Sequence, residues 1–212
     1  MSKIQQGLGE ILNLAPVVPV MVIEDEAQAV PLARALCAGG LKVLEITLRT
    51  PAALACIAAI AEQVPEAVVG AGTVLDQAQM RAVKNAGGQF AVSPGASASL
   101  LQAAEKTGLA WLPGAVTASE IMELTEAGLE YLKFFPAVPA GGSKYLSSLG
   151  AVFPNVKFCP TGGISKANAG EFLNLSNVIC VGGSWVCPAD AVAKADWPSI
   201  TSLAAEAFAL KS

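Results

Sequence analysis

The chain has 212 residues, a formal net charge of -4 and no histidine, and only 14% of its residues are Asp, Glu, Lys or Arg, against about a quarter in ordinary soluble proteins. Absence of imidazole excludes Ser-His-Asp and Cys-His nucleophiles, His-ligated zinc and histidine general bases, so acid–base work falls to carboxylates, lysine, tyrosine or cysteine, or to a metal on oxygen ligands. An acidic balance with three arginines lacks the positive field that nucleic-acid binding requires.

Short apolar runs alternate along the chain with longer Ala/Leu/Glu stretches. The runs Val17–Ile23, Lys42–Leu48, Val68–Thr73, Phe90–Pro94, Ala110–Gly114, Tyr131–Pro136, Lys157–Thr161 and Val178–Gly182 read as eight strands starting every 20 to 26 residues. Between them, Asp25–Ala38, Pro51–Gln63, Gln77–Ala86, Ala98–Lys106 and Ser119–Ala127 read as helices. Helix-stopping glycines follow at Gly39-Gly40, Gly87-Gly88, Gly108 and Gly128, and Pro51 and Pro198 suit first helical turns. Continuously apolar strands, each followed by a helix, call for a parallel sheet buried on both faces. Eight such units in one short chain predict an α/β fold, a (β/α)8 TIM barrel occupying residues 1–212 as one domain. An open doubly wound sheet is the alternative, but the chain lacks its G-x-G-x-x-G after the first strand. Residues Ser2–Leu14 read as an extra N-terminal helix closing the barrel bottom.

The five cysteines show no C-x-x-C spacing, which argues against a disulfide framework or zinc site and for small core hydrophobes in a reducing compartment. The start Met-Ser-Lys-Ile-Gln-Gln-Gly has no apolar signal region, and no apolar run approaches the ~18 residues of a membrane span. The expectation is a soluble, cytoplasmic protein without membrane or nucleic-acid partners.

Barrel active sites lie at the C-terminal ends of the strands, and few polar residues fall there. The second strand carries Glu45, Thr47 and Arg49, which period-two alternation puts on one face. Lys133 lies in Tyr131-Leu132-Lys133-Phe134-Phe135-Pro136. Burying an unpartnered ammonium favours the neutral amine, the form that Schiff-base chemistry with a carbonyl requires. The same pattern also accommodates a salt-bridged or snorkelling lysine. Lys42 and Lys157, by contrast, start their strands and reach water at the far end. Glu45 alone among the 17 acidic residues is mid-strand; a buried carboxylate suits proton transfer near neutrality, and a simple ion pair is the bland alternative. Arg49 offers a planar fork for a substrate carboxylate. Pro160-Thr161-Gly162-Gly163 and Gly182-Gly183-Ser184 follow the last two strands, where barrels commonly hold phosphate, although tight turns need glycine anyway.

The runs Gly40-Leu41-Lys42-Val43-Leu44-Glu45-Ile46-Thr47-Leu48-Arg49 and Gly128-Leu129-Glu130-Tyr131-Leu132-Lys133-Phe134-Phe135-Pro136 resemble the two signature segments of the KHG/KDPG (2-keto-3-deoxy-6-phosphogluconate) aldolase family. The likeness extends in order through Val17-Val18-Pro19-Val20, Gly70-Ala71-Gly72-Thr73-Val74-Leu75, Ser93-Pro94-Gly95, Cys159-Pro160-Thr161-Gly162-Gly163-Ile164 and Gly182-Gly183-Ser184-Trp185. The resemblance implies a homotrimeric class I aldolase, a carbon–carbon lyase of the Entner–Doudoroff pathway needing no metal or cofactor. It would cleave 2-keto-3-deoxy-6-phosphogluconate reversibly to pyruvate and glyceraldehyde 3-phosphate. It further implies Lys133 as Schiff-base lysine, Glu45 as general acid/base and Arg49 as carboxylate partner. Thr73 and Thr161 would contact pyruvate, Pro94 and Phe135 would wall the pocket, and Gly162, Gly163 and Ser184 would bind phosphate on turns shaped by Gly182 and Gly183. The galactonate epimer, 4-hydroxy-2-oxoglutarate and a non-catalytic phosphometabolite-binding barrel are the alternatives. A metal-dependent barrel aldolase is disfavoured by the missing histidines and the lack of clustered carboxylates.

Overall fold

The computed structural model describes residues 2–211; Met1 and Ser212, the ends of the span read as one domain, lie outside them. Eight strands form: β1 (Val17–Met21), β2 (Val43–Thr47), β3 (Val68–Gly72), β4 (Phe90–Val92), β5 (Ala110–Leu112), β6 (Tyr131–Phe134), β7 (Lys157–Pro160) and β8 (Val181–Gly183). All pair in parallel. One continuous ladder runs β5-β4-β3-β2-β1-β8, and β6 pairs with β7. Single bridges complete the ring, Gly114 to Lys133 between β5 and β6, and Thr161 to Gly182 between β7 and β8. The closed parallel ring is the expected (β/α)8 barrel.

The expected helices appear as α2 (Ala29–Ala38), α3 (Ala53–Gln63), α4 (Gln77–Asn85), α5 (Ala98–Thr107) and α6 (Ala118–Glu126), after a short N-terminal α1 (Leu8–Asn13). Four more follow, α7 (Gly142–Val152), α8 (Ala169–Leu173), α9 (Ala189–Ala193) and α10 (Trp197–Phe208). Side-chain caps start several of them: Asp76 accepts from Gln79 N, Ser97 from Leu100 N, and Thr117 forms a capping box with Glu120. Gly40, Gly87, Gly108 and Gly128 take the left-handed conformation at helix ends, as their positions in the sequence imply. Pro198 lies in the first turn of α10, whereas Pro51 sits in the turn ahead of α3. No helix among the described residues is long and apolar enough to cross a membrane.

Alternation along each strand sorts the apolar side chains into two bodies. Leu44, Ile46, Val69, Trp111, Leu132, Phe134 and Phe158 point outward beneath the helices. Val18, Val43, Phe90, Val92, Leu112, Cys159 and Cys180 fill the lower barrel, and Leu8 and Leu12 of α1 enter that cluster from below. Burying each such leucine contributes about 1.5–3 kcal/mol. The bottom is therefore closed by the N-terminal segment, but not by one helix over Ser2–Leu14. A 3-10 turn, Lys3–Gln5, precedes α1, and Gly7 at φ +78° breaks the two apart.

Candidate active site

Leu44 and Ile46 turn outward, so Glu45 between them turns into the barrel; Leu132 and Phe134 do the same for Lys133. Lys133 Nζ lies 3.2 Å from Glu45 Oε1, with side-chain exposures of 7% and 3%. Among the described residues these are the two buried charged groups. An ion pair so placed loses most of its Coulombic gain to desolvation, which makes it a poor stabilising device and a good candidate for chemistry. The Phe135 ring centroid lies 5.3 Å from Lys133 Nζ, within cation–π reach. The Lys133 backbone is clamped: its N–H donates to Pro113 O at 2.7 Å, and its carbonyl accepts from Ala115 N at 2.9 Å. Its side chain is thus carried on a fixed stem. Lys42 is exposed and Lys157 donates to Ser176 O at the strand's beginning, away from the pair.

Two threonines lie just past strand ends on the C-terminal side of the barrel. Thr161, just after β7, buries a hydroxyl that finds no hydrogen-bond partner among the described residues, a deficit of about 1–3 kcal/mol that an incoming polar ligand would relieve. Thr73, just after β3, adopts φ +59°, a left-handed conformation that a β-branched residue takes at a cost of about 1–3 kcal/mol and that clusters at functional sites. Ser93 is held by Trp111 Nε1, which donates to its hydroxyl at 2.7 Å. That fixes the end of β4, where Pro94 lies half-buried.

Gly162 and Gly163 sit at φ +101° and +78°, conformations favouring glycine. Gly182 and Gly183 have ordinary backbone angles and are glycine for room instead. A Cβ on Gly182 would strike the Thr161 hydroxyl, and one on Gly183 the Trp185 ring. The backbone N–H groups of Gly162, Gly163 and Ser184 make no hydrogen bond among the described residues, and Ser184 is exposed. Such a set of bare donors suits an anion. A cavity of about 610 Å³ opens beside Ser184, between the loops after β1 and β8, lined by Val20, Asp25, Trp185 and Cys187 among others. It does not include Lys133 or Glu45.

The alternation expected for Glu45, Thr47 and Arg49 holds only in part. The strand ends at Thr47, whose hydroxyl donates to Met21 O at 2.9 Å and fastens β2 to β1. Arg49 lies beyond, past a tight turn closed by its own N–H on Thr47 O, and its exposed side chain has no ion-pair partner among the described residues. The eighth strand begins at Val181 rather than Val178, because the chain first crosses from β7 at the Phe158–Val178 bridge before laddering to β1. Tight burial of residues 178–180 produces the same apolar pattern as a strand.

Residues 8–203 match a family model described as KDPG and KHG aldolase. The 2-dehydro-3-deoxy-phosphogluconate aldolase of Pseudoalteromonas atlantica is 52% identical over 200 residues, covering 94% of this chain and 93% of that protein. The KHG/KDPG aldolase of Escherichia coli K12 is 52% identical over 197 residues, covering 93% and 92%. Among solved structures, the KDPG aldolase of Legionella pneumophila with pyruvate captured as a covalent carbinolamine intermediate superposes with TM-score 0.92 at 45% identity, over 94% and 97% of the two chains. The aldolase of Zymomonas mobilis ZM4 with 3-phosphoglycerate gives 0.93 at 48%, over 98% and 97%.

Proposed function

The chain belongs to the KDPG and KHG aldolase family, and we propose that it cleaves 2-keto-3-deoxy-6-phosphogluconate to pyruvate and glyceraldehyde 3-phosphate through a Schiff base on Lys133. The observation that carries this reading is the buried Lys133–Glu45 contact of 3.2 Å inside the barrel. Glu45 accepts the lysine proton, leaving a neutral amine whose lone pair attacks the C2 ketone. The resulting carbinolamine loses its hydroxyl as water, with Glu45 supplying the proton, to give a protonated imine. Glu45, again a carboxylate, takes the C4 hydroxyl proton. The C3–C4 bonding electrons flow into the imine, leaving an enamine and releasing the aldehyde. Protonation of the enamine at C3 and hydrolysis of the imine free pyruvate and return Lys133.

The remaining residues supply positioning. Thr161 fills its hydrogen-bonding deficit on the keto-acid end, Thr73 presents its hydroxyl from a strained turn, and Arg49 closes on the carboxylate from the rim. Phe135 and Pro94 wall the three-carbon pocket. The free N–H groups of Gly162, Gly163 and Ser184 receive the phosphate, and Gly182 and Gly183 let the two turns approach. The keto-acid half of this site serves 4-hydroxy-2-oxoglutarate equally well, and the double name of the Escherichia coli relative favours that second substrate.

We read the protein as a cytoplasmic homotrimer without cofactor. Incubation of purified protein with 2-keto-3-deoxy-6-phosphogluconate in EDTA tests the reading. Pyruvate release at an undiminished rate is expected, and no release, or release only on adding divalent metal, would contradict it. Parallel assays with the galactonate epimer and with 4-hydroxy-2-oxoglutarate rank the substrates.

A further inference from the structure

We propose that Gly72 is a positioning residue for Glu45. The absence of a side chain at the end of β3 creates the space that holds the carboxylate against Lys133. Glu45 is paired in register with Gly70, and Thr47 with Gly72. The Glu45 side chain leans along its strand to the diagonal neighbour, as side chains on a pleated sheet do. A Cβ built on Gly72 would overlap Glu45 Oε1 and lie 2.8 Å from its Cδ and 2.9 Å from its Cγ. All three nearest atoms belong to Glu45. Gly72 needs no special backbone angle, since its φ is not in the left-handed region.

Neighbouring glycines make the contrast. A Cβ on Gly70 would meet the Phe90 ring and carbonyl oxygen, and one on Gly114 the backbone of Pro94 and Gly95. Those two are glycine so that strands can pack. At Gly72 the obstacle is the end of a side chain, so an alanine is accommodated by moving the carboxylate. Oε1 is the atom that touches Lys133 Nζ, and displacing it misplaces the proton-transferring group while leaving the lysine on its clamped stem. A displacement of about 1 Å in such a group is enough to cost on the order of 100-fold in rate.

This inference rests on Glu45 as the proton-transfer group proposed above, and its test separates the two. Proton exchange into the methyl group of pyruvate is followed in deuterium oxide for wild type, Gly72→Ala, Glu45→Ala and the double variant, with Gly70→Ala as a packing control. Gly72→Ala is expected to slow exchange roughly 100-fold with KM for pyruvate changed less than about threefold. In the Glu45→Ala background the same substitution should change exchange less than about twofold, because its obstacle is gone. Wild-type exchange in Gly72→Ala, or an equal loss in both backgrounds, would overturn the proposal. Should Gly72→Ala fold poorly, thermal unfolding decides: the double variant must melt above the single one, and equal melting would overturn the proposal. Full exchange in Glu45→Ala would instead remove the underlying reading, irrespective of Gly72.

Discussion

Lys133 Nζ and Glu45 Oε1 stand 3.2 Å apart inside the barrel although 88 positions separate the residues in sequence. The barrel brings β2 and β6 to opposite parts of one ring, and alternation turns both side chains inward. Removing only the charge of Glu45 is the sharpest probe of what that contact is for. Glu45→Gln should lower kcat by about 10²–10⁴-fold, the usual contribution of a general acid–base, while pyruvate still binds. Steady-state kinetics with a pyruvate-binding measurement check this; weakened binding at unchanged kcat would reduce Glu45 to a structural ion pair.

Thr73 is expected to trade stability against turnover. Glycine adopts its φ of +59° freely, so Thr73→Gly should leave unfolding free energy unchanged or raise it by up to about 1 kcal/mol, while slowing catalysis. A denaturant melt paired with a rate assay decides it. A large loss of stability would mean that the hydroxyl serves the fold.

Gln5 should matter out of proportion to its place near the chain's beginning. Its side-chain nitrogen donates to Trp111 O at 3.2 Å and Tyr131 O at 2.6 Å, and its oxygen accepts from Glu130 N at 2.8 Å and Tyr131 N at 3.0 Å. The amide thus bridges the lower ends of β5 and β6, where these strands have no ladder of their own. Gln5→Ala leaves several backbone groups unpaired and should cost about 2–3 kcal/mol, read as a lowered denaturation midpoint. A midpoint within error of wild type would show that water replaces the amide.

Alkaline pH should destabilise the protein through its buried thiols. Burial pushes Cys37 and Cys56 up to about 11 from an ordinary 9.0, with Glu66 adding to the rise at Cys37 and Glu26 at Cys56. Below about pH 9 both folded and unfolded chains keep these protons and the contribution is intact. Between about 9 and 11 the unfolded chain ionises first, so stability falls as pH rises. Melting temperature against pH should fall less steeply over that window in Cys37→Ala/Cys56→Ala than in wild type; parallel curves would contradict the assignment.

Strand positions were legible because both sheet faces are covered, so each strand reads as an unbroken apolar run. Helix ends were legible where a stopping glycine acts locally, as at Gly40, Gly87, Gly108 and Gly128. The same logic misplaced the start of β8, since burial without a ladder at residues 178–180 has the composition of a strand. It also carried alternation past the end of β2 to Arg49, where a turn had already broken the period. The inward placement of Lys133 and Glu45 was legible because a charge between outward-facing apolar neighbours must turn inward. The left-handed Thr73, the four bonds of Gln5 and the room that Gly72 leaves for Glu45 were not, because each depends on partners brought in by the fold. In the sequence, Gly72 stands only within Gly70-Ala71-Gly72-Thr73-Val74-Leu75, one of the runs that carry the family resemblance.

Borohydride reduction in the presence of pyruvate tests the central claim most directly, because it captures the imine on the residue that forms it. Peptide mapping should find the reduced pyruvate adduct on Lys133, with undiminished yield in EDTA and none in Lys133→Ala. An adduct on another lysine, or cleavage activity surviving in Lys133→Ala, would contradict it.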